Sequence, residues 1–445
     1  MKNVIKRLLF APKYRIKQLL RKTWITLFRP MLLKLERQDI LRMDSEDAHF
    51  RMCAMSRRAQ GKPISVLFAC DAPDTFGMFE SVYKSMADDP DFAPLIVTLP
   101  YKHSTLPAGQ YKDAGMAAFC ESRKIPFISG YEKENNEWLN PVSLMPDYVF
   151  FQTPYNVFPP MWSVQQISKL ARVCYIPYAS LLEKGELAAI CHPEMFFRFA
   201  HLFFTECSLQ KELLIAEFKD RYWVSRKRIV VSGHPKIDHL AEKKELCGKV
   251  WKRGKTKDIK RILWTPRWNT WDGTCHFFNY KDYFVEFCKG HHEVDFVFRP
   301  HSLCFQNFIK TGEMSLEQQR QMKQTYDMSA NMSIDANFEY EDTFMTSDVL
   351  VSDFSSMLLE YLATGKPIIY THRKNVFNDY GLKLSEGLYW VRNARELGDT
   401  LAMLLSGNDP LRQKREELMK VLYFIPEGGA GRFIKEYLKS DYRNV

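Results

Sequence analysis

Asp348-Val349-Leu350-Val351-Ser352-Asp353-Phe354-Ser355-Ser356-Met357-Leu358-Leu359-Glu360-Tyr361 runs from a short apolar strand, through a polar turn, into a helix that opens on two serines. Two readings of the turn fit. Backbone N–H groups at a helix start, together with the Ser355 and Ser356 hydroxyls, offer a group of donors suited to an anion such as pyrophosphate. Asp353 or Ser355 also suits an ordinary N-cap. The neighbouring segments decide how much weight the first reading carries.

Outward from this turn the same grammar repeats. Arg261-Ile262-Leu263-Trp264, Val294 to Phe298, Val349 to Val351, Pro367 to Tyr370 and Leu388 to Val391 read as strands. Met357 to Thr364, Ala394 to Leu405 and Leu411 to Leu422 read as helices between and after them. Upstream, a charged stretch poor in core residues, 241–260, is the best linker. Before it, Ser65 to Cys70, Leu95 to Leu99, Pro126 to Ser129, Tyr148 to Phe151, Val173 to Ile176, Leu202 to Thr205 and Ile229 to Ser232 form a second series of apolar runs. Helical stretches Phe79 to Met86 and Gly109 to Ser122 lie between them. Alternation of this kind predicts two α/β lobes, each an open parallel sheet covered on both faces.

Ligands of such sheets bind outside the carboxyl ends of the strands, so polar residues just after a strand are the candidates. Thr265-Pro266-Arg267-Trp268 and Arg299-Pro300-His301-Ser302 end two strands of the second lobe, and Arg267, Arg299 and His301 suit negative charge on a leaving nucleotide. A surface salt bridge for Arg299 and a capped core imidazole for His301 are the plainer alternatives. Gly233-His234-Pro235-Lys236-Ile237-Asp238 closes the first lobe as a site segment or a rigid hinge. Pro426-Glu427-Gly428-Gly429-Ala430-Gly431-Arg432 reads most simply as a loop bridging the lobes. His291-His292 lacks partner acids for a metal, and Asp89-Pro90-Asp91 follows a helix and not a strand. The chain carries neither a GxxxxGK phosphate loop nor a GxSxG elbow.

Composition fits this plan. A 445-residue chain, 46% hydrophobic and 26% charged, is long enough for two ordinary cores. The ten cysteines have no CxxC pair and suit reduced core positions. Net charge is unevenly placed: residues 1–42 hold twelve Lys or Arg against two acids, which accounts for the whole excess of +10. Ile5, Leu8, Leu9, Ile16, Leu19, Leu20, Trp24, Leu27, Phe28 and Met31 recur at helical spacing among those cations. A basic amphipathic arm with Trp and Phe on its apolar side predicts attachment to an anionic membrane surface, at about 1 kcal/mol per basic residue near it. Packing on the protein body and nucleic-acid binding are the weaker alternatives, and no recognised nucleic-acid module follows the arm.

Taken in order, Gly233 to Asp238, Ile262 to Trp268, Phe298-Arg299-Pro300-His301, Val351 to Ser356 with Lys366-Pro367-Ile368-Ile369, and Glu427-Gly428 with Arg432 resemble the CDP-glycerol glycerophosphotransferase family, the teichoic-acid primase and polymerase group. The likeness spans roughly residues 140–440. It implies two Rossmann-like lobes of GT-B type: an acceptor lobe at 60–240 and a donor-nucleotide lobe at 261–425, with the basic arm at 1–50 and a C-terminal helix at 426–445. It also implies transfer, without metal or cofactor, of a polyol phosphate from a CDP-activated donor to a hydroxyl of a cell-surface polymer, teichoic acid or capsule-like, or of its lipid-linked precursor. CMP is released.

On this resemblance His301, Ser355 and Ser356 hold the donor phosphates, with Arg267, Arg299 and Asp353 beside them. Family members carry a Trp-His-Gly turn whose histidine looks like the general base. The matching stretch here, Cys174-Tyr175-Ile176-Pro177-Tyr178-Ala179-Ser180, has no histidine. Glu183, Glu186 and His234 are then the candidate bases. The expected setting is bacterial, at the cytoplasmic face of the cell membrane. A GT-B glycosyltransferase, a nucleotide-sugar epimerase and an inactive membrane-associated homologue are the alternatives.

Overall fold

Thirteen short runs of apolar residues assemble into two parallel sheets, seen in a computed structural model that describes residues 34–102, 106–107, 109–184, 192–242, 248–256, 258–337, 339–372 and 375–445. The arm's residues 1–33 lie outside the described residues. In the first lobe β1 (Ile64–Cys70), β2 (Phe92–Thr98) and β3 (Phe127–Ser129) precede a two-stranded ribbon, β4 (Tyr131–Glu132) with β5 (Glu137–Trp138). Then come β6 (Tyr148–Phe151), β7 (Arg172–Tyr175), β8 (Leu202–Thr205) and β9 (Arg228–Val231). The sheet order is β3-β2-β1-β6-β7-β8-β9, with every neighbouring pair parallel.

The second lobe contains β10 (Lys260–Thr265), β11 (Val294–Phe298), β12 (Met332–Ile334), β13 (Val349–Ser352), β14 (Ile368–Thr371) and β15 (Tyr389–Val391). Their order is β12-β11-β10-β13-β14-β15, again all parallel. The strands read as unbroken apolar runs because both sheet faces are covered. In β1, Val66, Phe68 and Cys70 enter one core and Leu67 and Ala69 another; in β10, Ile262 and Trp264 part from Leu263 in the same way. Each sheet reverses direction of growth once, between β1 and β6 and between β10 and β13. These are the topological switch points, where a crevice opens at the strand ends.

Local boundaries follow local chemistry. The helix expected from Gly109 begins only at Met116, because Gly115 sits at φ +83° and interrupts the helical path. The linker stretch is more structured than its charge suggests: Trp251 is buried in the second lobe's core and donates from Nε1 to Thr346 Oγ1 at 2.8 Å.

Residues 34–59, which overlap the expected arm at 1–50, form one helix docked on the first lobe. Its acids are the reason. Asp39 and Glu46 are buried, accepting from Arg198 Nε at 2.6 Å and from Ser168 Oγ at 2.9 Å, and Phe50 and Ala54 enter the core. The last helix, Gly429–Arg443, returns to the same lobe and buries Ile434, Leu438 and Tyr442 there. Buried Arg172, at the start of β7, ties both helices to the sheet: its guanidinium contacts Asp47 at 2.9 Å and Asp441 at 2.5 Å and lies over the Phe50 ring.

The Gly233 to Asp238 segment builds the junction between lobes. Asp238 accepts from the Ala430 and Gly431 amides at 2.9 and 2.8 Å and from Ser81 Oγ at 2.9 Å, capping the last helix. Those amides are therefore engaged within the protein. A Cβ on Gly431 would lie 2.4 Å from the Ser81 carbonyl carbon, which explains a glycine there. Lys236 reaches across: its Nζ donates to Tyr178 O at 2.9 Å and pairs with Glu360 Oε1 at 3.0 Å, while the other Glu360 oxygen accepts from Tyr340. Arg123 of the first lobe also pairs with Glu339 of the second.

Both partners of the Lys236–Glu360 pair are buried, so removing one leaves an uncompensated charge. Lys236→Met should lower unfolding free energy by about 3 kcal/mol, and Lys236→Met with Glu360→Gln should recover most of that loss. Urea unfolding of the two variants checks this.

Candidate active site

The second lobe's switch point is held rigid by its own buried polar groups. Ser352 Oγ donates to Thr265 O at 2.7 Å and accepts from Thr265 Oγ1 at 2.9 Å, locking the ends of β10 and β13 together. Asp353, 1% exposed, accepts from the Arg267 amide at 2.6 Å and from the His276 amide at 2.9 Å. Its carboxyl therefore shapes the wall from behind and is turned away from any donor. Burial pushes its pKa up to about 7, against the two amides and the nearby Arg267 charge, which favour the ionised form.

Past Asp353 the chain turns at half-buried Ser355 and Ser356 into the six-residue helix Met357–Leu362. Ser355 Oγ accepts from the Met357 amide at 3.2 Å, so it performs the cap that the plainer reading foresees. A hydroxyl that accepts in this way still has its own proton to donate.

Arg267 lines the same crevice, its guanidinium 5.4 Å from the Phe354 ring centre. Nη1 donates to Phe354 O at 3.2 Å and Nη2 pairs with Asp272 at 3.1 Å. Arg299 is directed elsewhere. It pairs with fully buried Asp335 at 2.6 Å and donates to Asn337 O at 2.7 Å, holding the loop after β12. The salt-bridge alternative describes it better than a donor contact does.

His301 is exposed to the cleft, 5.9 Å between its ring centre and that of Trp268. Its Nδ1 accepts from the Leu303 amide at 3.2 Å, which leaves the proton on Nε2. Protein surrounding the ring lowers its pKa to about 4; Asp74 opposes this, and Arg267 and Arg299 add to it. The imidazole is thus a neutral N–H donor at physiological pH.

The candidate bases separate. His234 is buried with both ring nitrogens engaged, Nε2 with Pro177 O at 2.9 Å and Nδ1 with the Lys236 amide at 3.2 Å, so it braces the junction. Glu183 accepts from the Leu182 amide at 3.0 Å; burial raises its pKa, with Arg267 of the other lobe opposing the shift. Glu186 lies outside the described residues.

Sequence reasoning missed the first lobe's own switch point. Asp71 follows β1 directly and is 7% exposed. Gln152, wholly buried after β6, accepts from the Asp71 and Ala72 amides at 2.7 and 3.0 Å and donates to Ala72 O at 2.6 Å. The signal was the one used for the second lobe, a polar residue just past an apolar run.

A carboxyl with a raised pKa keeps its proton in the folded state over a range where the unfolded chain releases it. Stability from Asp353 is therefore fully present below about pH 4 and lost as pH rises toward 7. Relative to Asp353→Asn, the wild type should lose about 1.4 kcal/mol per pH unit across that window. Unfolding measured at pH 5, 6 and 7 on both proteins tests the slope.

Residues 210–380, which take in β10 to β14 with Arg267, Arg299, His301, Asp353, Ser355 and Ser356, match the model of the family described as CDP-glycerol:poly(glycerophosphate) glycerophosphotransferase. No curated protein matches the chain by sequence. Among solved structures, a putative UDP-N-acetylglucosamine 2-epimerase from Listeria monocytogenes aligns with a TM-score of 0.57 at 14% identity, covering 86% of this chain and 98% of that one. The UDP-GlcNAc 2-epimerase of Neisseria meningitidis, bound to UDP-GlcNAc, gives 0.55 at 13%, covering 85% and 100%. The wall teichoic acid polymerase TagF gives 0.55 at 13%, covering 92% and 98%. At such identities the likeness is one of fold. The chain thus has two Rossmann-like lobes of GT-B type, and its residues 210–380 match the model of the CDP-glycerol:poly(glycerophosphate) glycerophosphotransferase family.

Proposed function

We propose that the protein transfers a polyol phosphate, glycerol phosphate or a near relative, from a CDP-activated donor to a hydroxyl of a cell-surface polymer or its lipid-linked precursor. The observation that carries the reading is the place of Arg267 within the segment that matches the family model: it acts electrostatically on His301 and donates to Phe354 O, next to the Ser355–Ser356 turn. Such a transfer needs little covalent help from protein groups; it needs the phosphates fixed and the leaving charge met by preorganised donors. His301 Nε2–H and the serine hydroxyls supply neutral donors, and Arg267 supplies charge.

Incubation with CDP-glycerol, CDP-ribitol, UDP-GlcNAc and UDP-glucose separates this from the second reading, a sugar-nucleotide enzyme, which the epimerase neighbours favour. CMP release from a CDP-polyol is the expected result; UDP release or epimerised sugar establishes the other. His301→Ala should lower turnover about 100-fold by removing a donor to the leaving group, and Ser355→Ala should reduce the thermal stabilisation that the donor gives.

The reading also sets the protein on the inner face of an anionic membrane, where a lipid-linked acceptor is found. What supports this is the cationic excess of residues 1–42. No described helix is long and apolar enough to cross a membrane. Deleting residues 1–33, which leaves the docked helix whole, should abolish co-sedimentation with phosphatidylglycerol vesicles; undiminished binding would sink the membrane assignment.

A further inference from the structure

The first lobe has its own switch point, between the carboxyl ends of β1 and β6, the place where ligands of open parallel sheets bind. Ala69 and Phe151 are the last registered pair of those strands, and Asp71 and Thr153 each lie two residues beyond. Buried polar groups without partners gather at this spot. Asp71 Oδ1, Thr75 Oγ1 and Thr153 Oγ1 are each shielded and bonded to no protein atom. Orphaned buried oxygens are costly, at about 1–3 kcal/mol each; two of them lie just past adjacent strand ends and the third on the turn Pro73–Thr75 that follows β1, which marks a place suited to a polar ligand.

The backbone beneath them is fixed with unusual care. Gln152 grips the backbone of Asp71 and Ala72 through three bonds of 2.6 to 3.0 Å, so the Asp71 carboxyl starts from a rigid base. Asp74, three residues on, helps to raise the Asp71 pKa and acts in the same sense on His301 of the second lobe. Pro73, Asp74 and Gly77 share a small pocket with Glu339, Tyr340 and Glu341 of the second lobe. The turn that follows Asp71 therefore borders the second lobe.

We infer that Asp71 takes the proton of the acceptor hydroxyl, and that Thr75 and Thr153 bind neighbouring oxygens of a polyhydroxyl acceptor; this rests on the transfer proposed above. The acceptor O–H gives its proton to Asp71 Oδ1 as the oxygen forms a bond to the phosphorus that carries the polyol. The bond from that phosphorus to the bridging oxygen breaks, and its electrons leave with CMP. The proton then passes from the carboxyl to solvent.

The carboxyl has a suitable basicity. Burial pushes its pKa up to about 7, Asp74 adding to the shift, so the group is part ionised at neutral pH. Asp74, Tyr101 and Cys70 are the titratable groups around it. The thiol and phenol, themselves raised by burial, stay neutral over that range.

Asp71→Asn tests this in two ways. Thermal unfolding of the whole protein reads its structural role: a buried carboxyl with one oxygen unpartnered leaves the midpoint unchanged or raised on substitution, whereas a fall of more than about 4 °C overturns the inference. Turnover is read as CMP release from CDP-glycerol with short glycerol phosphate oligomers as acceptor. The expected result is a loss of about 100-fold or more with CDP-glycerol affinity unchanged, and disappearance of the rise in wild-type rate through pH 7. Turnover within threefold of wild type overturns the base alone, and so does an equal or greater loss confined to Glu183→Gln. A wild type that neither binds nor turns over CDP-glycerol overturns the functional reading and the base with it.

Discussion

A buried ion pair between Lys236 and Glu360 sets how the two lobes meet. Lys236 belongs to the segment that closes the first lobe, and Glu360 to the helix that follows the second lobe's switch point. Each charge has few other partners in a low-dielectric setting, so the pair enforces position more than it adds stability. Asp238, two residues along, fastens the last helix to the same junction, and His234, two residues back, braces it to Pro177. One short segment thereby fixes three things at once: where the second lobe sits, where the chain returns, and which turn of the first lobe borders the cleft.

What the junction brings face to face is a pair of equivalent places. In either sheet the strand order reverses once, and at each reversal the chain leaves the strand through polar residues. Around β10 and β13 these are Arg267, Asp353, Ser355 and Ser356; around β1 and β6 they are Asp71, Gln152 and Thr153. Both ends are stiffened by a buried side chain that grips backbone amides, Asp353 in one lobe and Gln152 in the other. Preorganisation of this kind lets polar groups act without first rearranging.

Most strands were legible in the sequence because burial on both faces leaves an unmistakable mark, an apolar run closed by turn residues. Tyr148–Phe151, Leu202–Thr205 and Val294–Phe298 have the bounds that their composition predicts. β12 went unread because three residues at a sheet edge carry too little pattern. Of the donor wall, position was legible and orientation was not. Arg299 ends its strand as expected, yet an acid 36 residues later draws its guanidinium away, and Asp353 points inward because two amides need an acceptor there. Partners so distant in sequence leave no local trace. His234 likewise sits in a distinctive motif whose distinctiveness serves the junction.

Charge across the cleft is divided in a way that suits a transfer between two negatively charged or polar reactants. The second-lobe wall combines one arginine, half offset by Asp272, with a neutral imidazole and two hydroxyls. The first-lobe lip carries Asp71 and Asp74. In the transfer proposed above, Arg267 would attract the donor phosphates and Asp71 would stand on the acceptor side. Charge is not simply split between the lobes, however: Asp74 shares its pocket with Arg123 and Lys236 of its own lobe and with Glu339 and Glu341 of the other. Cations of the first lobe pair with acids of the second, Arg123 with Glu339 and Lys236 with Glu360, so the same charges that border the cleft also hold the lobes together.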